Sequence, residues 1–248
     1  MTKHQSDDGE ALVTPCQESV NAFCWMDLKT RDLPGTTAFF SKTLGWHFAV
    51  DEEDWRQATV IAVDGHRIGG VSDLAQPVYP PETPAHIASY LAVDDVDLRT
   101  EAATAHGARL VVPPFDAGDQ GRMATLIDPV GAAFSLWQPY RFTGWGFPPR
   151  TAGAPHRMVL ACEEPDRARR FYRETTGARL ARADFVTAPG PLTAAPQWEL
   201  VVAVEDLDGV LARARDHGPG AVTWWDETGR RDARVSSPEG LTVRVRRV

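Results

Sequence analysis

Apolar and polar positions alternate with period two in three stretches of the first half of the chain and three of the second, the pattern of strands with one buried face. In segment 23–28, Cys24, Met26 and Leu28 form the apolar side, with Trp25 and Asp27 opposite. Ile87, Leu91 and Val93 likewise oppose Ala88, Tyr90 and Ala92, and Phe134 and Leu136 oppose Ser135 and Trp137. Later, Met158, Leu160 and Cys162 oppose Arg157 and Val159; Trp198, Leu200, Val202 and Val204 oppose Glu199 and Val201; Leu241, Val243 and Val245 oppose Arg244 and Arg246. Between the strands, DLPGTTAFF (32–40) and EPDRARRFY (164–172) read as helices. An acid, Asp32 or Glu164, opens each where backbone N–H groups lack partners, and Gly45 or Gly177 closes it.

These segments are two passes of one pattern. The two helices are offset by 132 positions, YLAVDDVD (90–97) and VVAVEDLD (201–208) by 111, and DPVGAAFSLW (128–137) and SPEGLTVRVR (237–246) by 109. The second copy is therefore 21 residues shorter in its middle and two shorter near its end. The expected division is a disordered leader over residues 1–14, a first module over 15–143, a Gly/Pro-rich linker over 144–155 and a shortened second module over 156–248.

A strand, an acid-led helix with an aromatic pair, Gly-Trp, then VDDVD and DPVGAAF resembles the vicinal-oxygen-chelate superfamily of glyoxalases, bleomycin-resistance proteins and dioxygenases. FCWMDLKTRD, LGW and GDQGRMATLIDPVGAAFSLWQP are most similar to its two-module actinobacterial members. The resemblance implies an α+β fold: two tandem βαβββ modules forming a pseudo-twofold pair of curved half-barrel sheets, with the helices outside. Trp25, Asp27, Ala88, Tyr90, Ser135 and Trp137 then line the first cup, and Arg157, Glu199 and Arg244 stand in the second. The superfamily's metal enzymes place His, Glu or Gln at three inward positions, which here are Trp25, Ala88 and Ser135, and in the second copy Arg157, Glu199 and Arg244. Neither set suits a divalent ion, so no metal and no other cofactor is expected. His86 and His156 are the alternative ligands, expected to need a one-residue slip of register to face inward.

Asp27, partly desolvated among Trp25, Tyr90 and Trp137, is the candidate acid or base, and a structural hydrogen-bond acceptor is its plainer role. Tyr90 is a candidate donor to a ligand carbonyl, Trp25 and Trp137 offer flat surfaces for stacking, and Arg122 in the GDQGR loop either touches ligand or fixes the turn. The Arg157, Glu199 and Arg244 trio reads as a salt-bridge cluster filling the second cup, with an anion site as the alternative.

A net charge of −8 argues against a nucleic-acid partner, and no apolar run reaches the roughly 20 residues of a membrane span. Three scattered cysteines and a polar start without a signal-peptide core suit a cytoplasmic protein, either a monomeric pseudo-dimer or a homodimer. The expected function is metal-independent acid/base chemistry (isomerisation, cyclisation or elimination) on an aromatic or polyketide-like metabolite. Non-catalytic sequestration of an antibiotic is the alternative, and a metal-dependent glyoxalase- or dioxygenase-like enzyme a third.

Overall fold

The computed structural model describes residues 20–52, 58–188, 195–227 and 230–247, with no side-chain description for 225–232; the expected leader lies outside the described residues. The first half folds as β1 (Phe23–Thr30), α1 (Leu33–Leu44), β2 (His47–Val50), β3 (Thr59–Val63), β4 (His66–Asp73), β5 (His86–Ala92), α2 (Val96–Ala105), β6 (Arg109–Asp116), β7 (Gly121–Ile127) and β8 (Ala133–Pro139). The second half follows as β9 (Pro155–Cys162), α3 (Pro165–Thr176), β10 (Ala183–Thr187), β11 (Trp198–Val204), α4 (Leu207–Arg215), β12 (Val222–Glu227), β13 (Arg230–Ser236) and β14 (Thr242–Arg247).

The strands form two open sheets, ordered β2-β3-β4-β1-β5-β8-β7-β6 and β10-β9-β11-β14-β13-β12. The repeat is visible in the pairing. In each sheet two central antiparallel strands, β1 with β5 and β9 with β11, are flanked by parallel partners, β4 and β8 or β10 and β14. The first sheet carries a β2–β3 hairpin before β4; in the second, no counterpart separates α3 from β10, which accounts for most of the shorter middle.

Capping follows the sequence at three of four helix ends. The Asp32 carboxylate accepts from the Gly35 amide at 2.9 Å, and Gly45 and Gly177 both take the left-handed conformation that closes a helix. Glu164 departs from expectation: it makes no cap hydrogen bond and pairs with Arg167 on the next turn at 2.8 Å.

The apolar sides of both sheets and all four helices belong to one continuous core. Helix α2 packs on α3, and α1 on α4. Phe23 and Trp198, from the two sheets, bring their rings to 4.6 Å. The buried Tyr172 hydroxyl donates to Asp128 Oδ2 at 3.0 Å and accepts from Trp198 Nε1 at 2.7 Å, while Trp46 Nε1 donates to the Gly153 carbonyl at 2.8 Å. With its helix-side face committed inward, the first sheet turns its other face to a ligand-sized hollow. Among the described residues no helix is long and apolar enough to cross a membrane.

Candidate active-site cavity

The cup face of the first sheet opens into a cavity of about 940 Å³. Strand register builds its floor in rows. Trp25 lies opposite Tyr90, and Tyr90 beside Ser135; Asp27 lies between Gly70 of β4 and Ala88 of β5. Trp25, Asp27, Tyr90 and Trp137 line the cavity, as do Gly118 and Gln120 of the loop before β7. Phe142, beyond the last strand of the sheet, completes an aromatic wall, edge-on to Trp25 at 4.7 Å and 6.0 Å from Trp137. Trp137 is fixed: its Nε1 donates to the Phe142 carbonyl at 2.9 Å, and its ring covers Gly121, where a Cβ would lie 2.4 Å from it.

Asp27 is not alone among aromatics, as the sequence suggested. Lys29, one step further along the same face of β1, donates to Asp27 Oδ2 at 2.8 Å, and Ser72 Oγ donates to the same oxygen at 2.6 Å. The ammonium also lies 3.4 Å from Ser72 Oγ, 3.5 Å from Tyr79 Oη and 5.0 Å from the Tyr79 ring centre. Burial works against this charge, but Asp27, with the nearby phenols, outweighs it and leaves the Lys29 pKa above its ordinary value. Both partners hold Oδ2. Asp27 Oδ1 accepts no hydrogen bond among the described residues and faces Gly70.

Two more polar atoms on this floor have no hydrogen-bond partner among the described residues: Trp25 Nε1 and Tyr90 Oη. Burial raises the Tyr90 phenol above its ordinary pKa, with the Asp27 charge adding and Lys29 opposing, so it remains a donor at neutral pH. The site thus joins a base-type oxygen, two free donors and flat apolar walls.

Three candidates sit elsewhere. Arg122 turns to the helix side of β7, where Asp97 holds it at 2.6 Å and Asp116 at 3.1 Å, because its neighbour Met123 takes the inward position. Ser135 is buried against Thr125 at 2.9 Å, and Ala88, though beside Asp27 in the sheet, is not part of the cavity lining. Lys29, Ser72, Tyr79 and Phe142 escaped the sequence reading. Lys29 was legible in principle, since it extends the period-two series of Trp25 and Asp27; Phe142 follows the strand and carries no periodic signal.

In the second sheet the charge cluster forms with one exchanged member. Glu199 bridges Arg244 at 2.9 Å and Arg234, which approaches its two oxygens in a fork with the Nε contact at 2.6 Å. Arg157 instead pairs with Asp184 on the neighbouring β10. Arg234 lies opposite Arg244 on β13, a pairing that intrastrand alternation alone does not reveal. Arg244, Val159 and Val201 are buried on this face.

The inward positions used by metal-dependent relatives of this fold offer an indole, a methyl and a hydroxyl at Trp25, Ala88 and Ser135. That donor set does not fit a divalent ion. Among the described residues no three His, Cys, Asp or Glu side chains converge as a metal cluster. His86 needs no slip of register, contrary to expectation: it lies opposite Lys29 at the start of β5, its Nδ1 2.8 Å from the Pro84 carbonyl. His156 is on the other sheet, where burial and then Arg157, Arg246, Arg182 and Arg150 lower its pKa, surroundings that also repel a cation.

Residues 23–136 match the sequence profile of the glyoxalase/bleomycin resistance protein/dioxygenase superfamily. That stretch, nearly all of the first half, carries this superfamily's pattern. CFP32 of Mycobacterium tuberculosis, which bears a provisional glyoxylase name, is 28% identical over 214 residues, covering 78% of this chain and 81% of its own length. The anthracycline biosynthesis protein DnrV of Streptomyces peucetius is 28% identical over 228 residues with the same coverage. The Mn(II)-bound glyoxalase of Novosphingobium aromaticivorans has a similar fold, with a TM-score of 0.60 at 13% identity, covering 92% of this chain and 82% of that one. For homoprotocatechuate 2,3-dioxygenase of Arthrobacter globiformis the TM-score is 0.61 at 11% identity, covering 93% and 80%. At such identities these structures speak for the fold alone.

Proposed function

We propose that the chain catalyses metal-independent proton transfer on an aromatic or polyketide-like ketone bound in the first cup. The observation that carries this reading is the division of labour on Asp27: Lys29 and Ser72 both grip Oδ2, leaving Oδ1 open toward the cavity. A carboxylate fixed by one oxygen presents the other in a defined direction, which suits a general base. Oδ1 removes a proton from carbon next to the ligand carbonyl, and the C–H electron pair becomes a C=C bond. The carbonyl π electrons move to oxygen, where Trp25 Nε1 and Tyr90 Oη donate hydrogen bonds to the developing charge. Lys29 holds Asp27 in place and balances the charge of the pair. Return of the proton to a different carbon gives isomerisation; loss of a group β to the carbonyl gives elimination. The aromatic wall fits a flat ligand, and the name of the relative DnrV accords with a role in specialised metabolism. Protein copy number, monomer or homodimer, does not enter the chemistry, since every group named lies in one chain.

Exchange of the benzylic C1 hydrogens of 2-tetralone in D2O, followed by proton NMR, tests the reading. Wild-type protein should accelerate exchange, and Asp27→Asn should reduce the acceleration by roughly 10²–10⁴-fold while tryptophan quenching by the ligand persists. Equal exchange in wild type and Asp27→Asn would reject Asp27 as the base. The Lys29 pair also favours a second reading, because it gives Asp27 a purely structural partner: a binder that sequesters its ligand. Quenching without any accelerated exchange would select it.

A further inference from the structure

Two glycines interrupt β4 at positions 69 and 70, in the interior of a strand where glycine has no side chain to pack and weakens the sheet. They do so for different reasons. Gly69 faces the core: a Cβ there would lie 2.9 Å from the Met26 side chain and 3.1 Å from the Met26 carbonyl, so close packing demands its absence. Gly70 faces the cup, and its backbone is not in the left-handed region. A Cβ at Gly70 would meet Asp27 Oδ1 at 3.3 Å, the Thr59 carbonyl at 3.8 Å and Trp25 Nε1 at 3.9 Å. Backbone geometry does not require glycine here, and the one tight contact a Cβ would make is with Asp27 Oδ1 itself. What its absent side chain leaves is a gap in front of the one free carboxylate oxygen and beside a free indole N–H.

We infer that the gap over Gly70 is the subsite for the reacting edge of the ligand, and that it selects a planar edge carrying a hydrogen-bond acceptor next to an acidic C–H or O–H. The two side-chain atoms that face the gap, with Tyr90 Oη next to Trp25 on the cavity floor, set the class. Asp27 Oδ1 accepts, so the ligand presents an acidic hydrogen there. Trp25 Nε1 only donates, and the neighbouring Tyr90 Oη stays protonated, so the ligand presents an oxygen to them. A side chain at this position would stand between the ligand and Asp27 Oδ1, so the bare backbone suits a flat conjugated edge that lies against it. The class is a flat enolisable ketone or hydroxyquinone with its oxygens in the ring plane. This deepens the proposed function and rests on Asp27 being the base.

Gly70→Ala and Gly69→Ala test it together, read by thermal melting, tryptophan quenching with 1,4-dihydroxyanthraquinone and C1 exchange of 2-tetralone. Gly70→Ala should melt close to wild type, since the better fit of alanine to a strand interior offsets the tight contact of its methyl with Asp27 Oδ1. It should nonetheless weaken quinone binding and tetralone exchange by roughly 10- to 100-fold, as expected for a methyl overlap in a close-packed site. Gly69→Ala should melt lower, and its folded fraction should bind like wild type. Should quinone binding fall in Gly70→Ala while wild type shows no exchange, the subsite stands and the catalytic reading fails. Should Asp27→Asn abolish exchange while Gly70→Ala exchanges and binds like wild type, the catalytic reading stands and the subsite is wrong. No quenching of wild type by the quinone at its solubility limit overturns the ligand class.

Discussion

Glu199→Gln isolates the charge cluster of the second sheet. The substitution keeps the shape and two hydrogen-bonding atoms but removes the only charge on Glu199, which faces Arg244, wholly excluded from solvent, and Arg234, about a quarter exposed. Both guanidinium groups then lose the carboxylate they share. Breaking a buried pair in this way costs about 3–5 kcal/mol, and the partial exposure of Arg234 puts the expectation near the lower end, about 3 kcal/mol. For a chain of this size that corresponds to a fall of about 6–12 °C in Tm. Urea titration and thermal melting measure it, with quinone quenching in the first cup as the control that should not move. Changing Glu199, Arg234 and Arg244 together to apolar residues of similar volume should restore most of the loss, because desolvation disappears with the attraction. A Glu199→Gln cost below about 1 kcal/mol, or a triple variant less stable than the single one, would refute the account of the cluster as a paired plug.

Further outcomes follow from other contacts. Tyr172→Phe removes the hydroxyl shared by Asp128 and Trp198 and takes the partner from Asp128 Oδ2 and Trp198 Nε1, so it should cost about 1–3 kcal/mol by urea titration. Trp25→Ala should weaken quinone binding by about 1–3 kcal/mol in a fluorescence or calorimetric titration, with little change in stability. Trp137→Ala should in addition lower the melting temperature, since that ring packs over Gly121 and holds the Phe142 carbonyl. His156 binds its proton less tightly in the folded chain than in the unfolded one, from burial and then its four arginine neighbours. Its contribution to stability is therefore present above the unfolded imidazole value of about 6.5 and lost as pH falls through the lower folded value. His156→Gln should flatten that part of the urea midpoint against pH between neutrality and mild acid.

Period-two alternation placed Trp25, Asp27, Tyr90 and Trp137 around one hollow because side-chain direction in a strand is a local property. The repeat likewise exposed the shared topology, since each copy had to bury the same face. What lies across strands was not legible. Lys29 beside Asp27 follows from alternation, but Ser72 meets that carboxylate only through the parallel β1–β4 register, which rests on a crossover no local pattern encodes. Arg234 for Arg157 is the same failure: which arginine reaches Glu199 is decided by the neighbouring strand. Of the two roles open to Arg122, ligand contact gives way because Met123 takes the inward position, while its pair with Asp116 ties the β6–β7 hairpin together.

The shared interior has a consequence for how the two halves tolerate change. On the first sheet a substitution at Gly70 or Trp25 reaches the cavity, whereas on the second the equivalent inward surface holds Arg234 and Arg244 paired with Glu199. The reverse side of that second sheet is another matter. Trp198, Phe171 and Tyr172 form part of the wall against which Phe23, Phe134 and Asp128 rest. The second copy therefore works as a foundation. Its open surface is free to drift toward any sequence that keeps its charges matched, while its hidden surface is as constrained as the first copy's own interior. Cutting the chain between the copies would lay bare an aromatic face on each fragment, so an engineer seeking a smaller binder must redesign that face rather than remove the idle half.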